Sequence, residues 1–312
     1  MEEEEKKNKP SDSDFKQQRI KAWKLTPSNT SLGIIYIAMG VFFVTFGAVY
    51  LYESSEVIEV AKRYDNLDEC KADWKNPKTC IIEMDISEHM ESPIFIYYEI
   101  NNMYQNHRKY NKCRDINQLM GEDQSKSEIS SYCEPVVTMK DLGLITNLSE
   151  EVEIANPCGL VAKSYFNDTF LLMPPADSPK DIIEVKHDDI SWWVDRHEKF
   201  KRNEHWETVQ WTDVENEHFI NWMSTAGLPT FRKLWGRIEH DLDSGKYRMQ
   251  ITNNYDISSF SGEKGIIITT HSIFGGKLNF LGIVYIVVGG LSFVGAIVIF
   301  VTNHYIAKLQ SR

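Results

Sequence analysis

Leu32–Tyr52 reads LGIIYIAMGVFFVTFGAVYLY and Phe280–Asn303 reads FLGIVYIVVGGLSFVGAIVIFVTN, and neither run carries a charged residue. At about 1.5 Å per residue each is long enough to cross a hydrocarbon core about 30 Å thick. The first run follows 31 residues of charged tail and outruns the apolar stretch of a secretory signal, so it reads as a retained anchor. Lys16, Arg19, Lys21 and Lys24 precede it, and Glu53, Glu56 and Glu59 follow it. That flank asymmetry puts the N-terminus in the cytosol, and after two spans the C-terminus, with Lys308 and Arg312, lies there too. The expected division is a cytosolic tail 1–31, spans 32–52 and 280–303, an extracytoplasmic domain 53–279 and a cytosolic tail 304–312.

Charge and cysteine placement agree with that division. Glu53 to Lys277 holds 25 basic and 39 acidic residues, a net −14, which argues against nucleic acid and anionic headgroups as ligands. Cys70, Cys80, Cys113, Cys133 and Cys158 all fall in this segment, the pattern of an oxidising compartment. The odd count leaves one thiol unpaired or bonded to another chain. Two glycosylation sequons, Asn147-Leu-Ser and Asn167-Asp-Thr, lie in the same segment; a third, Asn29-Thr-Ser, falls on the cytosolic side of the first span.

Between the spans we expect one domain, an antiparallel sheet core with helical insertions. Ile94–Ile100 (IFIYYEI), Tyr247–Ile251 and Gly265–Thr270 read as strands from their alternation or β-branched content. Phe231, Leu234, Trp235 and Ile238 fall at helical spacing just after Pro229 and predict a helix. Gly121–Ser131 reads as a surface loop. Trp192-Trp193, Trp206, Trp211, Trp222 and Trp235 offer either core packing or an aromatic binding surface, and packing is the reading taken for most of them. In the spans small residues recur every seventh position: Gly33, Gly40 and Gly47, then Gly282, Gly289 and Ala296. Such faces let helix backbones approach closely, so the spans pack on each other or on a partner's helices.

Catalytic constellations do not stand out. His187, His197, His205 and His218 form no H-E-x-x-H, and G-x-S-x-G, the P-loop pattern and a dinucleotide loop are not found. Phe15-Lys16-Gln17-Gln18-Arg19, followed by Ile20 and Trp23, mixes basic and aromatic residues just before the first span, as either a headgroup-level segment or a docking site.

Several strings in order along the chain resemble one family. They are Phe15-Lys-Gln-Gln-Arg, Tyr104-Gln-Asn-His-Arg, Arg114-Asp, Gln118-Leu, Cys133-Glu-Pro, Pro157-Cys-Gly, Phe166-Asn-Asp-Thr, Ile190-Ser-Trp-Trp, Leu228-Pro-Thr-Phe-Arg-Lys-Leu, Gly275-Gly-Lys, Phe280-Leu-Gly and Asn303-His. In these the chain resembles the cell-cycle-control protein 50 (Lem-three) family, accessory beta subunits of type-IV P-type ATPases that flip phospholipids. The resemblance implies a non-enzymatic subunit without cofactor, bearing N-linked glycans. It implies a 1:1 pairing with the ATPase catalytic subunit among membrane lipids, and residence in the endoplasmic reticulum, Golgi or endosomes, or plasma membrane. It further implies a Cys133–Cys158 disulfide, a Cys70–Cys80 disulfide, a free thiol at Cys113 where relatives usually have Ser, and a glycan on Asn167. Phe15 to Arg19, with Trp23 nearby, would touch the ATPase, and Gly33, Gly40, Gly47, Gly282 and Gly289 would pack beside one of its helices. The rival class is a two-span ligand-gated channel subunit, which a homo-oligomer with agonist-evoked current would mark.

Overall fold

The computed structural model describes residues 11–21, 27–71, 77–143, 153–176 and 182–310. Contacts divide the chain into two units, Met1–Tyr52 with Leu278–Arg312, and Glu53–Lys277.

The first unit is built on two long apolar helices, α1 (Asn29–Ser55) and, at the other end of the chain, α4 (Asn279–Gln310), both of spanning length. Gly33 faces Phe300, Gly40 faces Phe293, Val44 faces Gly289, Gly47 faces Ile286 and Leu51 faces Gly282. The partner number falls as steadily as the first rises, so the helices run antiparallel without slip. Small residues are required where backbone meets backbone. A Cβ on Gly47 would sit 2.8 Å from the Gly282 carbonyl oxygen, and one on Gly289 would sit 2.9 Å from the Val44 nitrogen. In lipid, where apolar surface gains nothing from leaving water, such close packing is what associates helices. The stripes therefore meet each other: Gly33, Gly40, Gly47, Gly282 and Gly289 are all buried in this seam, not displayed on an outer face. At one end of the seam the Asn29 side-chain amide donates to the Asn303 side-chain oxygen at 3.4 Å.

The second unit is two antiparallel sheets around one apolar core. Strands β1 (Glu59–Arg63), β3 (Ile94–Asn101), β5 (Phe231–Ile238) and β7 (Glu263–Thr269) form the order β1-β7-β3-β5; β2 (Lys78–Ile86), β4 (Thr169–Met173) and β6 (Gly245–Asn253) form the order β2-β6-β4. Alternation decides which face is buried: Ile94, Ile96, Tyr98 and Ile100 of β3, and Cys80, Ile82, Met84 and Ile86 of β2, point inward. These join Tyr247, Met249 and Ile251 of β6 with Ile266 and Ile268 of β7 in a single cluster, which Trp222, Phe219 and Phe166 complete.

Two expectations need correction. Phe231–Ile238 is strand β5, not a helix. Its register against β3 shifts between Ile96 and Tyr97, leaving a bulge at Trp235. Phe231 and Lys233 are buried before the bulge and Gly236 and Ile238 after it, so one inserted residue flips the alternation and leaves apolar positions at helix-like spacing. Gly121–Ser131 is not all loop, because α2 (Lys126–Cys133) begins there on a capping-box pair in which the Glu128 carboxylate accepts from the Ser125 backbone N–H and hydroxyl.

Helix α3 (Glu217–Met223) is held at both ends by charge. At its start the Glu217 carboxylate accepts the backbone N–H groups of Asp189, Ile190 and Ser191 at 2.7–2.9 Å, the Ser191 hydroxyl at 2.8 Å and the Arg196 guanidinium at 2.7 Å. Burial pushes this carboxyl up, but the Ser191 and Asp189 amides, the hydroxyl and Arg196 outweigh it and hold the pKa at about 2. Beside it, His218 Nε2 lies 3.2 Å from His187 Nδ1, and burial together with His187 pushes His218 down to about 4. At the far end Arg114 donates to the Met223 carbonyl, and Lys233 to the carbonyls of Asn221 and Ser224. These are cations on a helix C-terminus, where the backbone dipole favours them.

Two outcomes follow for stability. Gly47→Ala forces a Cβ against backbone while Gly33→Ala meets only the end of the Phe300 ring, so the first should lower the Tm of the full-length protein in detergent more, by a cost of about 1–3 kcal/mol. Equal Tm values would contradict the backbone contact. Glu217 and His218 both bind fewer protons folded than unfolded, so their contributions hold at neutral pH and are lost on acidification. The windows run from 6.5 to about 4 for His218 and from 4.5 to about 2 for Glu217. Tryptophan fluorescence followed against pH should show the lower limb flattened by Glu217→Gln and the upper limb retained; an unchanged lower limb would refute the clamp.

Candidate partner-binding site

Ahead of α1, residues Asp14–Gln18 form a turn. Gln17 N–H donates to the Ser13 carbonyl at 2.9 Å, Arg19 N–H to the Asp14 carbonyl at 2.7 Å, and the Arg19 guanidinium pairs with Asp12 at 2.5 Å. Gln18 takes the left-handed conformation, φ 55°, that closes the turn. Lys16 and Arg19 are exposed, and Phe15 is 77% exposed. An aromatic ring is thus displayed on a basic turn. Trp23 lies outside the described residues.

In the second unit Cys70 is bonded to Cys80 and Cys133 to Cys158. Cys113 is free and buried: Leu160 N–H donates to its sulfur at 3.1 Å, and the carbonyls of Cys133 and Glu134 lie 3.1 and 3.2 Å away. Burial pushes this thiol up despite the Leu160 amide, which keeps it protonated and a poor nucleophile. Around it several of the strings quoted above turn out to bind one another. Gln118 donates to the Ala155 carbonyl at 3.1 Å and accepts from Cys158 N–H at 2.9 Å, and Trp211 Nε1 donates to the Pro157 carbonyl at 2.7 Å. Gly159 has φ +98°, and a Cβ there would lie 2.0 Å from the Cys113 carbonyl oxygen, so only glycine fits. These residues build scaffold.

Other members of the strings face outward. Met103 N–H donates to the Pro229 carbonyl (3.1 Å), Ala226 N–H to the Gln105 side chain (2.9 Å), and the Asn106 side chain to the Gly227 carbonyl (2.9 Å). Two loops are thereby laced together, and each displays an apolar residue: Tyr104 is 58% and Leu228 70% exposed. Trp192 and Trp193 are also exposed, directly after the loop residues that Glu217 clamps, whereas Trp222 is fully buried as core. Exposed aromatics on preorganised loops are what a docking surface requires. The sequence singled out Tyr104 and Leu228 only as members of the family strings and not as surface residues, because nothing local distinguishes an exposed from a buried apolar residue.

Asn167 is exposed, between the buried Phe166 and Asp168, and Thr169 of its sequon is exposed as well. Asn147 lies outside the described residues. Among the described residues no group of three or more His, Cys, Asp or Glu gathers as a metal site.

The sequence profile of the "LEM3 (ligand-effect modulator 3) family / CDC50 family" matches residues 50–309. "Cell cycle control protein 50A" of Bos taurus is 35% identical, over 96% of this chain and 90% of its own length. "Putative ALA-interacting subunit 2" of Arabidopsis thaliana is 36% identical, over 91% of this chain and 85% of its own. "Phospholipid-transporting ATPase accessory subunit CRF1" of Saccharomyces cerevisiae is 28% identical, over 94% of this chain and 84% of its own. With its two apolar terminal helices, its β-rich domain between them and these matches along nearly its whole length, this chain belongs to the LEM3/CDC50 family.

Proposed function

We propose that this chain is a non-catalytic accessory subunit of a phospholipid-translocating P-type ATPase, paired 1:1 with the catalytic subunit in the membrane. The observation that carries the reading is the family match over residues 50–309, with relatives of similar length named as ALA-interacting subunits and as an accessory subunit of a phospholipid-transporting ATPase. The chain would supply binding surface while ATP hydrolysis and the lipid path reside in the partner.

The basic flank of α1 and the cysteines between the spans support both termini in the cytosol and residues Glu53–Lys277 in the lumen or outside the cell. In that orientation Phe15–Arg19, with Trp23, meets the cytosolic side of the ATPase. Tyr104, Trp192, Trp193 and Leu228 are available to its luminal loops. With the glycines engaged in the seam, the outer faces of α1 and α4, where Val41, Phe42, Leu291 and Val294 are exposed, are the surfaces left for a partner's helix or lipid. Asn167, and Asn147 with it, would carry N-linked glycans. The complex would leave the endoplasmic reticulum for the Golgi, endosomes or plasma membrane.

Affinity purification of the tagged full-length protein in mild detergent should recover one much larger chain in equal amount, with phospholipid-dependent ATP hydrolysis. Recovery of the protein alone as a symmetric oligomer would refute the reading. Leu228→Asp combined with Tyr104→Ala should cut that recovery about tenfold or more, as the loss of a docking hot spot does, at unchanged Tm. Unchanged recovery would remove this patch from the interface.

A further inference from the structure

The segment that follows β7 is a tight hairpin. Ser272 N–H donates to the Gly275 carbonyl at 2.8 Å and Gly275 N–H returns to the Ser272 carbonyl at 3.0 Å, while Phe274 N–H donates to the Ser272 hydroxyl at 3.2 Å. Gly275, at φ +102°, supplies the left-handed conformation the turn needs. The base is fixed as well. The His271 ring stacks on Phe95 at 4.1 Å with its Nε2 3.2 Å from the Tyr97 hydroxyl.

The tip breaks the usual rule for turns, which are filled by Gly, Asn, Asp and Ser. It holds Ile273, which at 88% is more exposed than any other large apolar side chain among the described residues. A rigid turn that displays an isoleucine is a costly surface in water and a suitable one in an apolar medium.

Covalent reach allows a bilayer to be that medium. Gly275 is four residues from Asn279, where α4 begins, a span of at most about 14 Å. Thr270, at the base of the hairpin, exchanges hydrogen bonds of 3.0 Å with Ile58, three residues and at most about 11 Å beyond Ser55, where α1 ends. Two tethers therefore bound the distance from the hairpin to the ends of both spanning helices. Lys277, between hairpin and helix, has the snorkelling chemistry common at headgroup level.

We propose that the 272–275 hairpin is a membrane-interface anchor, with the Ile273 side chain inserted at the headgroup–acyl boundary of the leaflet next to the β domain. The anchor needs the two helices to span a bilayer but does not need the ATPase, so it and the partner assignment fail separately.

The test places a nitroxide on Ile273→Cys in the full-length chain, reconstituted in phosphatidylcholine nanodiscs, with Ile116→Cys, an exposed position of the β domain, as the aqueous control. Unsubstituted protein reports any labelling of the buried Cys113. Dissolved oxygen should relax the label at 273 more than a water-soluble nickel chelate does, with the order reversed at 116. A nickel effect larger than the oxygen effect at 273 would place the tip in water, and protection from both would place it against protein. Either result overturns the proposal. Ile273→Asp, with unchanged Tm, should abolish any ordering of neighbouring lipid that the unsubstituted hairpin produces, and persistence of that ordering would also count against the anchor.

Discussion

The β domain depends on one buried ion pair. Lys264 of β7 lies 2.7 Å from Asp168, at the entry to β4, and both side chains are essentially sealed from solvent. Lys264 lies in the four-stranded sheet and Asp168 adjoins the three-stranded one. The ammonium also donates to the Asn253 side chain at 2.5 Å and the Tyr255 carbonyl at 2.6 Å. The carboxylate also accepts the Tyr64 hydroxyl at 2.6 Å and the backbone N–H groups of Asn254 and Tyr255 at 2.5 Å. Burying two charges costs several kcal/mol each, about what a good geometry with every remaining donor and acceptor paired can offset. Here each is paired. The clasp therefore fixes where the end of β6, the start of β4 and the start of β7 meet, a point that apolar packing alone leaves free to slide.

Its consequences reach the surface. With Asp168 turned inward, alternation turns Asn167 and Thr169 outward, so the sequon is presented because its central residue is anchored. Asn253 in turn donates to the Cys70 carbonyl at 2.7 Å, which connects the clasp to the Cys70–Cys80 disulfide. Tyr64 directly follows β1, so the same cluster also holds the end of that strand. The α1–α4 seam meets the equivalent problem without charge, by glycines that let two backbones touch. Both devices spend a specific residue type to set geometry, and both leave the outer surfaces available for other molecules.

Much of this was legible in the sequence where the physical signal is local. Uncharged runs of spanning length mark α1 and α4; alternation marks β3 and β6; a β-branched run marks β7. Cysteine placement marks the segment that two disulfides staple. Signals that depend on the fold were not legible. A single bulge at Trp235 disguised β5 as a helix, since it resets the period on which the reading rests. The Ser125–Glu128 capping box of α2 was a readable start signal inside a stretch that otherwise looks like loop. Lys264 and Asp168 stand 96 residues apart, and among so many charged residues nothing nearby marks them as a buried pair. The seven-residue glycine stripes were visible, but not whether they serve this chain or a partner, since the same flat face suits both. Likewise Trp192 and Trp193 carry the same composition signal as the buried Trp222, and only the Glu217 clamp separates a displayed pair from a core residue.

The most direct test of this account is a double-mutant cycle on the clasp in the full-length chain, with Lys264→Met, Asp168→Asn and the pair compared by thermal unfolding in detergent. Each single substitution strands a buried charge and should cost about 3–5 kcal/mol, whereas the double variant, with neither charge left, should be less destabilised than the sum by about 2 kcal/mol or more. Effects that add to within about 0.5 kcal/mol would mean that the two groups do not act together, and that the sheets are held by apolar packing alone.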